Sequence, residues 1–570
     1  MKHRPYLFLS LLTCILIAAC ISPVNAVRDN IQDKGGSSPD ICIYPQPLYE
    51  GQKIFVDLAT GGTGNRVATI RIGDVPCSIQ KTVDYNGAQG EPRCCIMIEP
   101  KKELNPEDHR LTLGLVDKKG TTDNKETQLR VRRRQDKAPC ILKQQTLSRM
   151  DAITHTTTIP CNHVDCMDNG PHAFLRYLEV LRGAKQQINI QTYYLDNAGR
   201  CKEITAILMD KADQGLEINI IITRYSQLAK SPLLAMILRS HGIHVILAGD
   251  IGFPRQRPDR SIPWIDRMHK DYRIFESLPE AKAFQPWIKK DSRDMLVDFA
   301  LHEKMLIVDN RIAIMGGRNI SDSYFFWWRD LDVCISGKAV HALNKGFMVN
   351  WQEFGGARPM NLPETRGKNS PGKGHTTLRI VESRPWHGDY DNLEMIVEAC
   401  SLAQKSIYIT SQYLALPDRI SRALSGAASR GVDVRILTNS YDTGKAVAFS
   451  MCHFISLNYY RELLEDGVKI YEYHPEILSV DHPPYYHAKQ IIIDRQWLSI
   501  GSFNLSIRSA YLESELMLNI HDPKLAKKRS DQFLYDLKAN CRQVDPCVLA
   551  SQEQRFRDLM EISRKVEILY

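Results

Sequence analysis

The chain has 570 residues, enough for three to four domains of roughly 150 residues each. With 43% hydrophobic and 25% charged residues it has the composition of folded globular protein, which excludes a disordered, collagenous or polytopic membrane chain. Lys and Arg number 74 against 66 Asp and Glu, and a net charge of +8 does not indicate a nucleic-acid binder coated in basic residues, although a local basic groove remains open.

Lys2, His3 and Arg4 precede an apolar run from Tyr6 to Ile21, which is too short to span comfortably as a bilayer helix of ~20 residues and has the shape of an export signal. Within it Ile17-Ala18-Ala19-Cys20 resembles the lipobox of bacterial lipoproteins, in which the cysteine is acylated and becomes the mature N-terminus. A cut after Val24-Asn25-Ala26, giving a soluble product, and an uncleaved anchor are the alternatives. Residues 1–26 are thus expected to be a signal segment, with Cys20 the lipidated residue, and the product to be exported and anchored at a membrane of the bacterial envelope. Once Cys14 is removed and Cys20 acylated or discarded, 13 of the 15 cysteines remain. In an oxidising compartment disulfides are the default for close pairs such as Cys161/Cys166 and Cys541/Cys547. A zinc site at Cys161-Asn162-His163-Val164-Asp165-Cys166 is disfavoured, since four ligands packed into six residues cannot easily wrap a tetrahedral ion.

Residues 27–39 read as a polar tether. From Ile41 to Arg134 the pattern has period two, with Ala68, Ile70 and Ile72 alternating with Thr69 and Arg71, and Leu111, Leu113 and Leu115 with Thr112 and Gly114. Its length of about 95 residues and turns at Gly61-Gly62-Thr63-Gly64 and Asp117-Lys118-Lys119-Gly120 predict an immunoglobulin-like all-β sandwich over 41–135. No cluster of convergent polar groups lies in it, and its Gly-rich turn lacks the lysine of a phosphate loop, so the expectation is a spacer or docking module. Arg132-Arg133-Arg134 fits anionic lipid head groups and a solvated strand face equally well. A polar linker with Pro139 and Pro160 follows.

Beyond residue 165 helical and strand patterns alternate, the α/β signature. Phe174, Leu178 and Leu181 predict a helix and Ile188–Thr192 a strand. Ile204, Ile207, Leu208 and Ala212 predict a helix stopped by Gly215, and Leu216–Ile222 the next strand. The same elements then recur. AKQQINIQTYYL from Ala184 aligns without a gap to AQKSIYITSQYL from Ala403, an offset of 219, and HEKMLIVDNRIAIMGGRN from His302 aligns to HAKQIIIDRQWLSIGSFN from His487, an offset of 185. The difference of 34 is a net insertion in the first half, expected between Gly242 and His302 around Trp264–Lys290, as a lid contacting lipid. Two similar halves follow, 165–360 and 375–545.

Each repeat carries His, one residue, Lys, four residues, Asp, six residues, Gly, Gly or Ser, one residue, Asn. His302 and Lys304, like His487 and Lys489, stand two apart in an apolar β run and are expected on one face. Nothing in sheet packing demands Asn at His plus 17 twice. The set supports phosphodiester attack: one neutral imidazole attacks phosphorus while the other, protonated, donates to the leaving oxygen. Lys304 and Lys489 supply charge to the non-bridging oxygens, and Asn319, Asn504, Ser502 and the backbone at Gly317 are the candidate phosphate contacts. Asp330 and Glu515, also 185 apart, are candidate orienting carboxylates for the histidines. No metal or other cofactor is expected, since lysine is not an ordinary ligand for a divalent ion.

The duplicated HxKxxxxD pattern over roughly 165–545 resembles the phospholipase D superfamily, in which two α/β halves, each a mixed sheet flanked by helices, share one active site. GGRNISDSYF, WRDLDVCISG and IGSFNLSIRSAYLESE are similar to the C-type branch of bacterial cardiolipin synthases. The resemblance implies a phosphatidyltransferase or phospholipase that acts at a membrane through a phosphohistidine, with phosphatidylethanolamine as donor and phosphatidylglycerol as acceptor. It makes His302 the nucleophile and His487 the general acid, and gives the motif residues Asp309 and Asp494 the task of holding their loops. The chain departs from SFNLDPRS and LNTE, common in relatives, with Ser506, Ile507 and Glu513 in place of Asp, Pro and Asn. A nuclease built on the same motif is the second reading, against which the modest charge weighs. A non-catalytic surface binding protein is the third, against which both intact motifs weigh.

Overall fold

The computed structural model describes residues 41–44, 48–49, 54–59, 66–72, 75–86, 92–100, 108–116, 122–132, 141–224, 226–227, 231, 233–252, 297–356, 374–446, 449–476 and 484–567. The expected signal segment with Cys20, the tether, both glycine-containing turns and the insertion around 264–290 lie outside them. The chain divides into two compact units, Met1–Arg132 with Pro546–Arg555, and Arg133–Asp545 with Phe556–Tyr570.

The first unit carries β1 (Ile41–Tyr44), β2 (Leu48–Tyr49), β3 (Ile54–Ala59), β4 (Arg66–Ile72), β5 (Val75–Asn86), β6 (Pro92–Pro100), β7 (Asp108–Val116) and β8 (Thr122–Arg132), connected in the order β1-β3-β6-β5-β4-β7-β8-β2. The period-two pattern explains their faces: Ile70, Ile72, Leu111 and Leu113 are buried, while Thr69 and Arg71 point to solvent.

The second unit is built on a mixed sheet. Its first half contains β9 (Ile159–Met167), β10 (Gln187–Thr192), β11 (Glu217–Thr223), β12 (His244–Ala248), β13 (Asp250–Gly252), β14 (Val297–Leu301), β15 (Met305–Val308), β16 (Ile312–Gly316) and β17 (Asp332–Gly337). Its second half contains β18 (Thr376–Ser383), β19 (Ser406–Thr410), β20 (Leu414–Ala415), β21 (Asp433–Asn439), β22 (Lys469–Tyr473), β23 (Gln490–Ile493), β24 (Trp497–Gly501), β25 (Leu505–Ser506), β26 (Glu513–His521) and β27 (Cys541–Val544). The repeat is kept down to single pairings. Ile188 on β10 opposes Val308 on β15, and Ile407 on β19 opposes Ile493 on β23, each pair related by the offsets read from the sequence. Gly316 opposes Asp332 as Gly501 opposes Met517. Leu331, Val333, Phe347, Ile492, Leu498, Leu518 and Phe533 form one buried cluster drawn from both halves, so the halves share a core.

The stretch read as a polar linker is structured at its end. It contains α1 (Gln144–Ile153) and β9, which pairs with β17 of one half and β18 of the other and so joins them into one sheet. Pro160 falls where the β9–β18 register shifts, one of the places within a sheet that tolerate its missing N–H. The expected disulfides are corrected as well, since Cys161, Cys166 and Cys541 are free thiols. Cys161 and Cys166 both lie on the extended strand β9, where five residues span about 17 Å, far beyond the Cα separation a disulfide bridges.

Close backbone approach explains one glycine of the repeat. A Cβ on Gly501 would stand 2.0 Å from the Leu516 carbonyl oxygen and 2.6 Å from Met517 Sδ. Gly501→Ala is therefore expected to lower stability by about 2–4 kcal/mol in chemical denaturation. Gly426→Ala, on the helix Asp418–Ser429 with its nearest atom 3.9 Å away, should instead raise stability by about 0.5–1 kcal/mol.

Candidate active site

His302 and Lys304 lie in the extended segment between β14 and β15, and His487 and Lys489 in the segment just before β23. All four are buried. The backbone N–H of His302 donates to Ser514 O (3.1 Å), and that of His487 to Arg329 O (2.7 Å). Those acceptors immediately precede Glu515 and Asp330, and the side chains repeat the exchange. His302 Nδ1 is 2.9 Å from Glu515 Oε1, and His487 Nδ1 is 2.7 Å from Asp330 Oδ2. Each half thus supplies the carboxylate that orients the other half's histidine. A carboxylate on Nδ1 selects the Nδ1–H tautomer and leaves the Nε2 lone pair free.

Burial sets the electrostatics. It pushes His302 well below the usual imidazole range, helped by the Lys304 cation, and lowers His487 to about 3, with Lys489 adding to the effect and Asp330 opposing it. Lys489 Nζ stands 2.9 Å from both ring nitrogens of His487 and donates to its carbonyl at 2.6 Å, while Lys304 Nζ donates to the carbonyl of His302. Burial also brings Lys304 down to about 8 and Lys489 to about 7, and raises Glu515 to about 7 against the pull of Lys304. Burial works to raise Asp330 too, but His487 and Lys489 outweigh it and hold this carboxyl at about 2.

The remaining sequence-derived residues divide. The motif aspartates stand at the far end of their strands from the histidines. Asp309 accepts the N–H groups of Lys185, Gln186 and Gln187 at 2.8–3.0 Å, and Asp494 those of Gln404, Lys405 and Ser406 at 2.7–3.1 Å. Both have φ of +53°, a left-handed turn that asparagine and aspartate tolerate. Their contacts hold the start of β10 and β19, which is the loop-holding task the resemblance implies, and set these two motif residues apart from the histidines and lysines. Ser502 and Gly317 both serve the orienting carboxylates. Ser502 Oγ donates to Glu515 Oε2 at 2.5 Å and accepts from Leu516 N at 3.0 Å. Gly317, at the matching position, leaves the space in which a Cβ would meet Asp330 Oδ1 at 2.2 Å, and its N–H goes to Leu331 O. Asn319 donates to Tyr324 OH at 2.9 Å and accepts from Thr192 Oγ1 at 3.3 Å. Asn504 Oδ1 is buried without a hydrogen-bond partner, a polar atom that a bound group can satisfy.

Several neighbours lie outside the site set expected from the sequence, which marks Ser506 and Glu513 only as departures from relatives. A π-helical turn, Ser323–Trp327, sets Tyr324 edge-on to His487 at 4.9 Å, and Trp328 follows at 5.8 Å from the same ring. Tyr193 packs edge-on against His302 at 5.2 Å. Glu513 Oε2 lies 3.7 Å from His302 Nδ1 while Glu513 Oε1 accepts from Arg508 Nε at 2.6 Å. The repeat could not flag Glu513, because the residue 185 positions earlier is Trp328. Ser506, which stands where relatives often have Asp, caps the helix Ile507–Tyr511 by accepting from Ser509 N at 3.1 Å. His302, Glu513 and Glu515 place three ligand-capable atoms within 4.8 Å of one another and are the residues among those described that could hold a cation.

Two histidines oriented through Nδ1, with two lysines beside them in one buried region of charge, can receive a tetrahedral oxyanion. Lysine pKa values brought down to about 7 and 8 mean that the binding charge is present below those values and lost as pH rises through them. Tungstate affinity, measured by calorimetry, is expected to fall about tenfold or more between about pH 6 and about pH 9. Lys489→Arg should flatten that fall, because guanidinium stays protonated.

The family described as "Cardiolipin synthase, PLD-like domain" matches residues 177–351 and 396–537, more than half of the chain. The chain is 25% identical over 378 residues to the cardiolipin synthase of Alkalihalophilus pseudofirmus, an alignment covering 65% of each protein. It is 30% identical over 254 residues to that of Listeria welshimeri, covering 42% of this chain and 50% of the relative. The chain therefore spans less than two thirds of the length of these relatives. In fold it is similar to the phosphatidylserine synthase of Haemophilus influenzae Rd KW20, with a TM-score of 0.52 at 12% identity, over 74% of this chain and 100% of that one. On the matched family and the two matched halves, the chain belongs to the phospholipase D superfamily, in its cardiolipin synthase branch.

Proposed function

We propose that this protein is a phospholipid phosphatidyltransferase acting at a membrane surface through a phosphohistidine intermediate, with cardiolipin synthase-like chemistry. The crossed pairing of His302 with Glu515 and of His487 with Asp330 is the observation that carries the reading. His302 Nε2 attacks the phosphorus of a donor glycerophospholipid, the bond from phosphorus to the head-group oxygen breaks, and His487 passes its proton to that oxygen. The incoming phosphodiester, as an anion beside His487, favours the protonated ring that this step needs. His487 then takes the proton of the acceptor hydroxyl, whose oxygen attacks phosphorus as the P–N bond breaks and His302 is released. Two carboxylates near His302, at 2.9 and 3.7 Å, support its choice as nucleophile, since the phosphorylated ring is cationic. Lys304, Lys489 and Asn504 hold the non-bridging oxygens.

Phosphatidylethanolamine as donor and phosphatidylglycerol as acceptor follow the family resemblance, and the similarity to cardiolipin synthases supports a phospholipid substrate. Among the described residues no helix is long and apolar enough to cross a membrane. Export and attachment to the envelope through Cys20 rest on the N-terminal sequence. The strand order of the first unit, with β1-β3-β6-β5 followed by β4-β7-β8-β2, supports reading it as an immunoglobulin-like sandwich of the A-B-E-D and C-F-G kind.

Wild type in mixed micelles of the two lipids is expected to form cardiolipin or phosphatidic acid, and His302→Ala and His487→Ala to form neither. Brief mixing with donor labelled in its phosphate should leave label on wild type but none on His302→Ala, and His487→Ala, which lacks the acid for the leaving oxygen, should take up label far more slowly than wild type. Turnover that survives both substitutions sinks the proposal. Asp330→Asn should lower kcat about 10²- to 10⁴-fold with little change in KM, because the ring loses its tautomer and charge partner while the oxyanion contacts stay.

A further inference from the structure

The short helix α2, Leu234–Ser240, follows a segment that is hydrogen-bonded to neighbours of the site, and turns an apolar face outward. Leu234, Ala235 and Leu238 are buried against the first-half core, while Leu233, Met236 and Ile237 are 66%, 65% and 42% exposed. These three stand at i, i+3 and i+4, which is one face of the helix. Its connection to the histidines is short. Thr223, at the end of β11, donates to the carbonyl of Leu301, the residue before His302, at 2.7 Å. Ser226 donates at 3.0 Å to the carbonyl of Tyr193, whose ring packs on His302. Ser231 then reaches Asp196 Oδ1 at 3.3 Å, and Leu234 N donates to Ser231 O.

Charge singles out the same segment. From Ile218 to Gly249 there is no Asp or Glu, while Arg224, Lys230 and Arg239 fall within it. Arg224 and Arg239 are exposed. The second half treats the corresponding region differently. There Ser450–Glu465 is a sixteen-residue helix whose Phe454 packs on Phe556 at 5.1 Å and whose Asn458 bonds Ser563 at 2.9 Å, so the C-terminal helix covers it. The stretch after β21 also carries Asp442, Glu462 and Glu465, so it lacks the single sign of charge.

We propose that the face of Leu233, Met236 and Ile237 is where the protein meets a phospholipid bilayer. The apolar side chains enter the acyl-chain boundary, and the neighbouring cations lie among the lipid phosphates, beside the His302 side of the site. The inference rests on the phospholipid reading above and names the surface through which that substrate is reached. An apolar face on a stretch that carries cations and no Asp or Glu of its own, with Asp213 at its end paired to His241, fits an anionic lipid surface better than another protein of this chain's mixed charge.

The test compares the full-length wild type with L233E/M236E. One substrate is vesicles of phosphatidylethanolamine and phosphatidylglycerol, the other the monomeric dihexanoyl forms of the same two lipids, and binding is read by vesicle flotation. Any attachment through the N-terminus is common to both proteins. Expected is a loss of about tenfold or more in vesicle binding and vesicle turnover for the variant, with turnover of the monomeric lipid within about twofold. A Leu233→Trp protein should add a blue-shifted emission on vesicles. Unchanged flotation and vesicle turnover in the variant overturns the proposal, as does a change in sedimentation in place of vesicle binding, which would give the face to a second copy. Loss of monomer turnover in the variant together with an unshifted Leu233→Trp emission overturns it as well. If wild type turns over neither substrate, the phosphatidyltransferase reading fails, while flotation still decides the surface.

Discussion

A histidine in this protein is oriented by a carboxylate that lies on the other half of the molecule, and both histidines obey this rule. The exchange has a backbone part, His302 N to Ser514 O and His487 N to Arg329 O, and a side-chain part, through Glu515 and Asp330. The strands support it directly: β14 runs parallel to β26, with Ala300 opposite Glu513 and Leu301 opposite Ser514. Neither half alone holds a complete histidine–carboxylate unit. The shared core of Leu331, Val333, Leu498 and Leu518 therefore secures the chemistry as much as the fold, since a small shift between halves would part both dyads together.

Buried charge makes this arrangement demanding. Two lysines, two histidines and three carboxylates lie in one buried region, and an unpartnered charge there costs several kcal/mol. The supports are correspondingly dense. Arg318, 1% exposed, donates to Met167 O at 2.7 Å, Asp330 O at 2.6 Å and Tyr324 O at 3.2 Å, and pairs with Asp332 at 3.3 Å. One guanidinium thereby ties β9, the segment bearing Asp330 and the π-helical turn into a single frame. Arg508 does comparable work for Glu513. The lysines lose proton affinity in these surroundings while Glu515 gains it, so proton positions within the group are close in energy and respond to an arriving anion.

Much of this was legible in the amino-acid order, and the reasons for the rest are specific. His302, Lys304, Asn319 and Asp330 could be paired with His487, Lys489, Asn504 and Glu515 because chemically demanding residues recurred at one offset without a packing reason. The crossing could not be read, since an offset of 185 is satisfied equally by contacts within a half and between halves. Ser502 and Gly317 share that limit: their positions match, yet a hydroxyl and a missing Cβ serve the carboxylates by different means, visible only in space. Period-two patterning placed the buried residues of β4 and β7 because each alternation spans a whole strand. It missed β9, whose neighbours across the sheet are far away in sequence and whose Pro160 reads as a linker residue. The cysteine pairs were misjudged because closeness along an extended strand is distance in space.

Two-fold pseudo-symmetry within a single chain carries a further consequence. In a symmetric dimer every substitution appears twice, once on each side of the axis, so no side can change alone. Here the two sides have drifted apart: Glu513 stands where Trp328 does, Ser502 where Gly317 does, and a covered sixteen-residue helix where the first half exposes a seven-residue one. Covalent fusion of the halves let two chemically identical imidazoles acquire unequal surroundings, and inequality is what an ordered sequence of attack and protonation requires. On the proposed mechanism, the repeat gives the geometry and freedom from the axis gives the reaction its direction.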